Sequence, residues 1–594
     1  MSAQTVAHPA EARVDSSEAE LLIRVLSALL REDVVGLRTR STLTHHPDGP
    51  WLRLAGTDDA LLMPVTEDGF QSLYAARLPL LVSESQGELT SADTVLAALR
   101  AVAEPPDRDG FDAFAEECRQ TLATMRLHAA TREETAVRLT ARHGGDPATW
   151  TGPIRALAHD TLAARLDHPV YPTARGRSGL TEWQLRSYAP EFHPRFVLRW
   201  LAVPREALTA TQGALPDHWP TPAMLGLPQA ERTHVALPVH PLTVGAPLDA
   251  ALRDTGLGPS ALLADRAHLE VVPTLSMRTV AATADPTLHL KLPLPTATLG
   301  LRNRRTIKPG TLLDGAAGQR LLQTVLAHEP RFRDTVLHAD ETVYAHAGHE
   351  SLAVLCRRLP AGLDDSLVVP LAALLAEAPG GRLVVDHLAD RFYGGDPLAL
   401  LDAWLTLLFD WQTTLFGYGI ALESHQQNIS VVLDRHADGS TRLRLLLKDN
   451  DGPRINAVRL RERLGAGAPG PADFDDPRVF GDDDGPVADL FTTITVHLCA
   501  GAYAFGLARH GRASRPVLLR LVRDRLAEAV ERLGTGPGEP GAVLRTRVLE
   551  ADRLPVKAMV SAGTLLTKQR SGAADINKHY TSGPNYLHVT GERA

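Results

Sequence analysis

Two short strings, Glu423-Ser424-His425-Gln426-Gln427-Asn428 and Lys448-Asp449-Asn450-Asp451-Gly452, constrain this chain most, because the residues between them are built to fold the two strings together. Ile429 to Leu433 and Thr441 to Leu447 are β-branched and aliphatic runs with partial alternation, joined by Asp434-Arg435-His436-Ala437-Asp438-Gly439-Ser440. That pattern predicts a β-hairpin. A two-residue turn centred on Asp438-Gly439 would set Asn428 opposite Asp449 at the open end. With Glu423 just upstream, the hairpin would gather hard oxygen donors of the kind Mg²⁺ takes, few enough that waters and nucleotide phosphates complete the shell. Ordinary strand ends carry the same polar residues, so the metal reading needs support from elsewhere in the chain.

That support comes upstream. Ser276-Met277-Arg278-Thr279 precedes Thr287-Leu288-His289-Leu290-Lys291-Leu292-Pro293-Leu294, in which leucine takes every second position. Such a strand has one apolar face, and His289 and Lys291 share the other. Arg302, Arg304, Arg305 and Lys308 follow as a dense basic stretch in a chain of net charge −8. Local cations in an acidic chain fit a small polyanion and not nucleic acid, which needs a broad basic surface. The His425-x-x-Asn428 and Asp449 layout also loosely resembles that of protein kinases and aminoglycoside kinases. The kinase pattern fails elsewhere: its catalytic Asp would fall on Gln426, and no Gly-rich loop precedes a strand lysine near the N-terminus.

Taken in order, eight strings resemble the NRPS-independent siderophore synthetases, the aerobactin-synthetase-like family also called IucA/IucC. They are His168-Pro169-Val170-Tyr171-Pro172 with Arg175, Arg177 and Gly179; Tyr188-Ala189-Pro190-Glu191-Phe192; Pro238-Val239-His240-Pro241; and Ser276-Met277-Arg278-Thr279. His289-Leu290-Lys291-Leu292, Glu423-x-His425-x-Gln427-Asn428, Lys448-Asp449 and Leu554-Pro555-Val556-Lys557-Ala558 complete the set. The resemblance implies an α+β, multi-domain fold likened to a cupped hand of thumb, fingers and palm, with the kinase-like metal hairpin in the palm. It implies an ATP-dependent, AMP-forming ligase that adenylates a carboxylate of citrate or a citrate derivative and joins it to an amine or alcohol. A small-molecule kinase using a similar Mg-ATP site is the alternative.

By the same resemblance, Ser276, Arg278, Thr279, His289 and Lys291 attend the ATP phosphates, with His168 and Gln427 supporting the nucleotide site. Glu423, Asn428 and Asp449 hold Mg²⁺. His425, Lys557 and an arginine from the 302 to 305 stretch, Arg302 or Arg304, meet the carboxylate substrate. Such cations act by placing fixed positive charge where negative charge grows in the transition state. A homodimer is implied as well.

The chain departs from the family pattern in places. Tyr171 stands for the second His of the His-Pro-x-His-Pro string and Arg175 for the lysine after it; Tyr carries no positive charge and Arg accepts no proton near neutrality. Leu242 replaces a tryptophan and Lys448 an arginine, and the arginine expected twelve residues past the strand lysine falls on Asn303. A modified carboxylate pocket follows.

At 594 residues the chain exceeds one ordinary core. We divide it into a thumb-like scaffold at 1–160, a fingers-like region at 161–390 with the phosphate strand and basic stretch, and a palm-like region at 391–594. Leu398, Leu400, Leu401, Trp404, Leu405 and Leu408 predict a buried helix leading into the hairpin, with Trp404 and Trp411 in the core. Three cysteines without metal spacing, an acidic start without a signal-peptide pattern and no uninterrupted apolar stretch near the roughly 20 residues that span a bilayer point to the cytoplasm. Among 24 histidines most must be structural or exposed, so His168 and His240 enter by motif alone. Neither a zinc-site spacing nor a Gly-x-Ser-x-Gly elbow is present.

Overall fold

The computed structural model describes residues 15–55, 59–211, 215–216, 219–450, 452–467, 469–572 and 579–588. Asp451 and the first fourteen residues, on which the reading of the N-terminus rests, lie outside them.

The fold mixes helix and sheet. Asp15 caps the helix Ser16–Arg31, accepting from Ser17 N at 3.0 Å, and the helix buries Leu21, Leu22, Val25, Leu26 and Leu29 at helical spacing. It packs on the strand Tyr74–Ala76 of a six-stranded antiparallel sheet and on the helix Arg108–Ala130. A nine-stranded sheet follows. In it Leu288–Lys291 lies between Thr279–Ala282 and Ala353–Arg358, with Lys291 opposite Thr279 and Leu355, and His289 opposite Ala281 and Arg357. Leu288, Leu290 and Leu292 enter an apolar cluster as the alternation predicts, and the His289/Lys291 face is buried too.

A four-stranded sheet, in the order Val336–His338, Thr441–Leu447, Ile429–Arg435, Leu367–Pro370, holds the hairpin. The helix Pro397–Gly417 buries Leu400, Trp404, Leu405, Leu408 and Trp411 in the main core. This sheet takes strands from both sides of position 390, and the helix Pro153–Ala164 runs through position 160. The main apolar cluster extends from Leu21 to Leu587, so those boundaries divide the sequence more sharply than they divide the core.

Two sequence expectations change. The hairpin register pairs Ile429 with Leu447 and Arg435 with Thr441, one residue away from that of a two-residue turn. His436 N donates to Ser440 O and Gly439 N to His436 O, both at 2.9 Å, closing a loop over Ala437, Asp438 and Gly439 with Gly439 at φ +84°. This is a turn ending in a left-handed residue, and the extra loop residue moves the register. Asn428 therefore faces Lys448, whose N–H donates to Asn428 O at 3.0 Å. Second, the helical run Gly485–Arg509 is long and apolar enough to cross a membrane by length and composition, with mean hydropathy 1.5 over a window that is 100% buried. Thr492, Thr493, Thr495 and His497 interrupt the apolar run in sequence, and all four are buried in this core helix.

Candidate functional site

The hairpin strings converge on one cavity of about 720 Å³. Glu423, Asn428 and Asp449 line a single stretch of its wall, with His425 and Gln427 beside them. A tight turn builds this wall: Asn428 N donates to His425 O at 2.7 Å, and the His425 Nδ1 accepts from Gln427 N at 3.3 Å. Asn428 Nδ2 donates to Glu423 O at 3.3 Å, which leaves the amide oxygen as its remaining donor atom toward a ligand.

Asp449 reaches this wall in spite of the shifted register because its backbone is left-handed, at φ +67°. A non-glycine residue there costs energy, and Glu341 offsets it. The buried Glu341 carboxylate accepts from Asp449 N at 2.8 Å and Asn450 N at 3.2 Å, and also binds Arg357 Nε. So turned, the Asp449 carboxylate bonds the ammonium of Lys291 and lies 3.4 Å from Arg357 Nη2. Burial alone would raise the Asp449 carboxyl, but the charges of Lys291, Arg357 and Arg278 outweigh it and hold the group well below the usual carboxylate range.

Cations line the same cavity. Arg278 follows a turn in which Met277 is left-handed (φ +60°) and Ser276 Oγ accepts from Thr279 N at 3.2 Å; its Nη1 donates to Thr306 O at 2.8 Å. Lys557 ends the strand Arg553–Lys557, and its Nζ lies 3.3 Å from Glu423 Oε1. Arg175 and Arg177 line the cavity as well, Arg175 paired with Asp167 at 2.7 Å. His168 Nδ1 caps its own turn, accepting from Tyr171 N at 3.1 Å. Burial, aided by neighbouring cations, pushes the His168 imidazole down to about 3 and that of His425 to about 4, so both are neutral near pH 7.

Several sequence-predicted residues stand off the wall. Thr279 and His289 are buried inside the nine-stranded sheet; Lys291 touches the site through Asp449. Arg302 and Arg304 point away: Arg302 Nη1 donates to Ala562 O at 2.9 Å, and Arg304, 68% exposed, lies 3.5 Å from Glu350. Asn303 and Arg305 face the cavity instead. The segment is locally extended, with Arg305 N donating to Thr296 O at 2.9 Å, so alternate residues share a face. His240 packs between Tyr188 and Phe196, away from the cavity. Tyr171 is fully buried and donates to Glu117 at 3.3 Å, so the departure from histidine falls behind the wall.

Among the described residues no group of three His, Cys, Asp or Glu is placed to hold a metal alone. Two carboxylates and an amide oxygen on one wall nevertheless fit Mg²⁺, which keeps waters and phosphate oxygens in its shell. Sequence reasoning missed Glu341, Arg357 and Glu117, since a glutamate destined for burial reads like a surface one.

Compared with known proteins, residues 158–376 match the model of the IucA / IucC family, and residues 401–571 that of the ferric iron reductase FhuF-like transporter. Over residues 158–376 the chain is thus similar to the IucA / IucC family. Its curated relatives include staphyloferrin A synthase of Staphylococcus aureus, 26% identical over 326 residues, which are 50% of this chain and 53% of that protein. The uncharacterized protein y4xN of Sinorhizobium fredii is 25% identical over 352 residues (52% and 53%), and the rhizobactin siderophore biosynthesis protein RhbC of Rhizobium meliloti 27% over 440 (65% and 70%). The first two alignments span about half of each relative's length. Solved structures share the fold over nearly the whole chain. The petrobactin biosynthesis protein AsbB of Bacillus anthracis superposes with TM-score 0.73 at 17% identity, covering 96% of this chain and 95% of AsbB. ATP-bound aerobactin synthetase IucA of Klebsiella pneumoniae gives 0.67 at 18% (96% and 99%).

Proposed function

We propose that the protein is an AMP-forming ligase that adenylates a carboxylate of citrate or a citrate derivative with MgATP, then condenses it with an amine or alcohol. The observation that carries this reading is one cavity lined both by the oxygen donors Glu423, Asn428 and Asp449 and by the cations Arg278, Arg305 and Lys557. Both reactants of an adenylation are anions and repel each other. Fixed cations on both sides of the reacting centre offset that repulsion, most strongly as charge builds on the adenylyl transition state. The siderophore-synthesis names of the relatives and the ATP-bound neighbour support the same reading.

In this reading Ser276, Arg278 and Lys291 bind the triphosphate. Glu423, Asn428 and Asp449 would hold Mg²⁺, which supplies positive charge to the phosphates when bound. Lys557 and Arg305 fix the acid, and His425, kept neutral near pH 7 by burial, hydrogen-bonds to it. We assign the protein to the cytoplasm, as a homodimer with the cupped-hand arrangement of its family. The test is a matrix of polycarboxylic acids against amines and alcohols, read for pyrophosphate and by mass for the condensed product. Pyrophosphate release that needs one class of acid is expected; release indifferent to acid would remove the assignment.

A further inference from the structure

Two buried glutamates grip the loops from which the cavity is made, and they grip different loops. Glu117, on the helix Arg108–Ala130, accepts four neutral donors: Tyr171 hydroxyl at 3.3 Å, Thr173 hydroxyl at 3.1 Å, Leu301 N at 3.1 Å and the Thr564 hydroxyl. Each donor belongs to a segment that supplies the acid-facing wall. Tyr171 and Thr173 lead into Arg175 and Arg177, Leu301 lies between Leu299 and the Asn303/Arg305 pair, and Thr564 follows Lys557 and Met559. The last two segments also touch directly. Gly300, at φ +108°, approaches Gly563 so closely that an added Cβ would sit 2.9 Å from its Cα, and Arg302 N donates to Gly563 O at 3.3 Å. Burial pushes the Glu117 carboxyl up, and the four hydrogen bonds work against that shift.

Glu341 grips the other half. Its two oxygens take the adjacent amides of Asp449 and Asn450 and the guanidinium of Arg357, which itself lies 3.4 Å from the Asp449 carboxylate. Among the described residues Glu341 makes no hydrogen bond to the three acid-side segments, and Glu117 makes none to the Asp449 turn.

We propose that Glu117 and Glu341 are positioning residues that set the two halves of the site separately, Glu117 the acid-binding loops and Glu341 the metal-and-phosphate turn. This rests on reading the cavity as a site for an acid and MgATP. A carboxylate that fixes several loops acts on affinity through the side chains those loops present, so loss of one grip should weaken one substrate and spare the other. A role confined to general stability would weaken both together.

The experiment measures KM for MgATP and for citrate, or for whichever acid of the matrix supports pyrophosphate release, together with thermal melting. Glu117→Gln is expected to raise the acid KM roughly ten-fold with the MgATP KM within about two-fold, and Glu341→Gln to do the reverse. Should either glutamine variant fail to fold, Tyr171→Phe with Thr564→Val removes two donors from Glu117 without touching the cavity, and Arg357→Lys loosens Glu341 while keeping the charge. Equal rises in both KM values for either set, or melting and all kinetic parameters falling in step, would overturn the proposal. Its failure is separable from failure of the ligase reading: if the wild-type chain released no acid-dependent pyrophosphate, calorimetric binding of MgATP would still show whether Glu341 and not Glu117 governs the phosphate half.

Discussion

The ammonium of Lys291 donates to the carboxylate of Asp449, joining a strand of the nine-stranded sheet to the residue just past the hairpin, 158 positions away. The pair closes the phosphate lysine onto the metal aspartate. Lys291 is 5% exposed and Asp449 23% at the side chain, and the Asp449 carboxylate leans on both Lys291 and Arg357. Breaking a buried pair by removing one partner costs about 3–5 kcal/mol in comparable proteins, a cost that Arg357, 3.4 Å from Asp449, reduces when Lys291 is the one removed.

Asp449→Asn is expected to abolish turnover at limiting Mg²⁺ while the fold persists, because Asn still fills the turn that Glu341 holds but is a far weaker Mg²⁺ partner. Turnover as a function of Mg²⁺ concentration, beside circular dichroism, checks it. Near-normal turnover at low Mg²⁺ would make the hairpin end structural.

Lys291→Ala is expected to lower adenylation for every acid alike. The lysine bonds Asp449 in the phosphate half, so the acid KM should stay within about two-fold while kcat falls. An acid-selective effect would place Lys291 in the carboxylate pocket.

Arg305 and not Arg302 or Arg304 is expected to hold the acid. Arg305→Ala should raise the acid KM about ten- to a hundred-fold, the worth of one charge-assisted contact of roughly 1.5–3 kcal/mol, with Arg302→Ala and Arg304→Ala near wild type. The reverse ranking would show that the loop rearranges when the acid binds.

Stability should fall as pH drops from 7 to 5. Burial holds His168 and His289 at about 3 and His425 at about 4, whereas an unfolded chain titrates its histidines near 6.5. Between those values the unfolded chain binds protons that the folded chain refuses, so each such imidazole lowers stability by about 1.4 kcal/mol per pH unit of acidification. Melting temperatures across this range test it, and a flat profile would contradict it. The same argument predicts that no acid limb near pH 6.5 in the rate profile belongs to His425.

Periodicity made the hairpin, the His289/Lys291 strand and the Pro397–Gly417 helix legible, because each has one face in an apolar core. The register was not legible. Whether Asp438-Gly439 forms a two-residue turn or ends a three-residue loop depends on one left-handed glycine, and the backbone of Asp449 then re-aims its side chain by a tertiary contact to Glu341 that leaves no mark in local sequence. Likewise the basic stretch announced cations but not which of them face inward. That choice follows from the short pairing of Arg305 with Thr296. Glu117 and Tyr171 meet across 54 positions, a distance at which no spacing rule operates.

The central claim is tested most directly by the nucleotide product formed with and without a citrate-type acid. AMP and pyrophosphate in equal amounts, dependent on the acid and on Mg²⁺, with an acyl hydroxamate trapped by hydroxylamine, is the predicted result. ADP as the product would contradict it and assign the same cavity to a phosphotransferase.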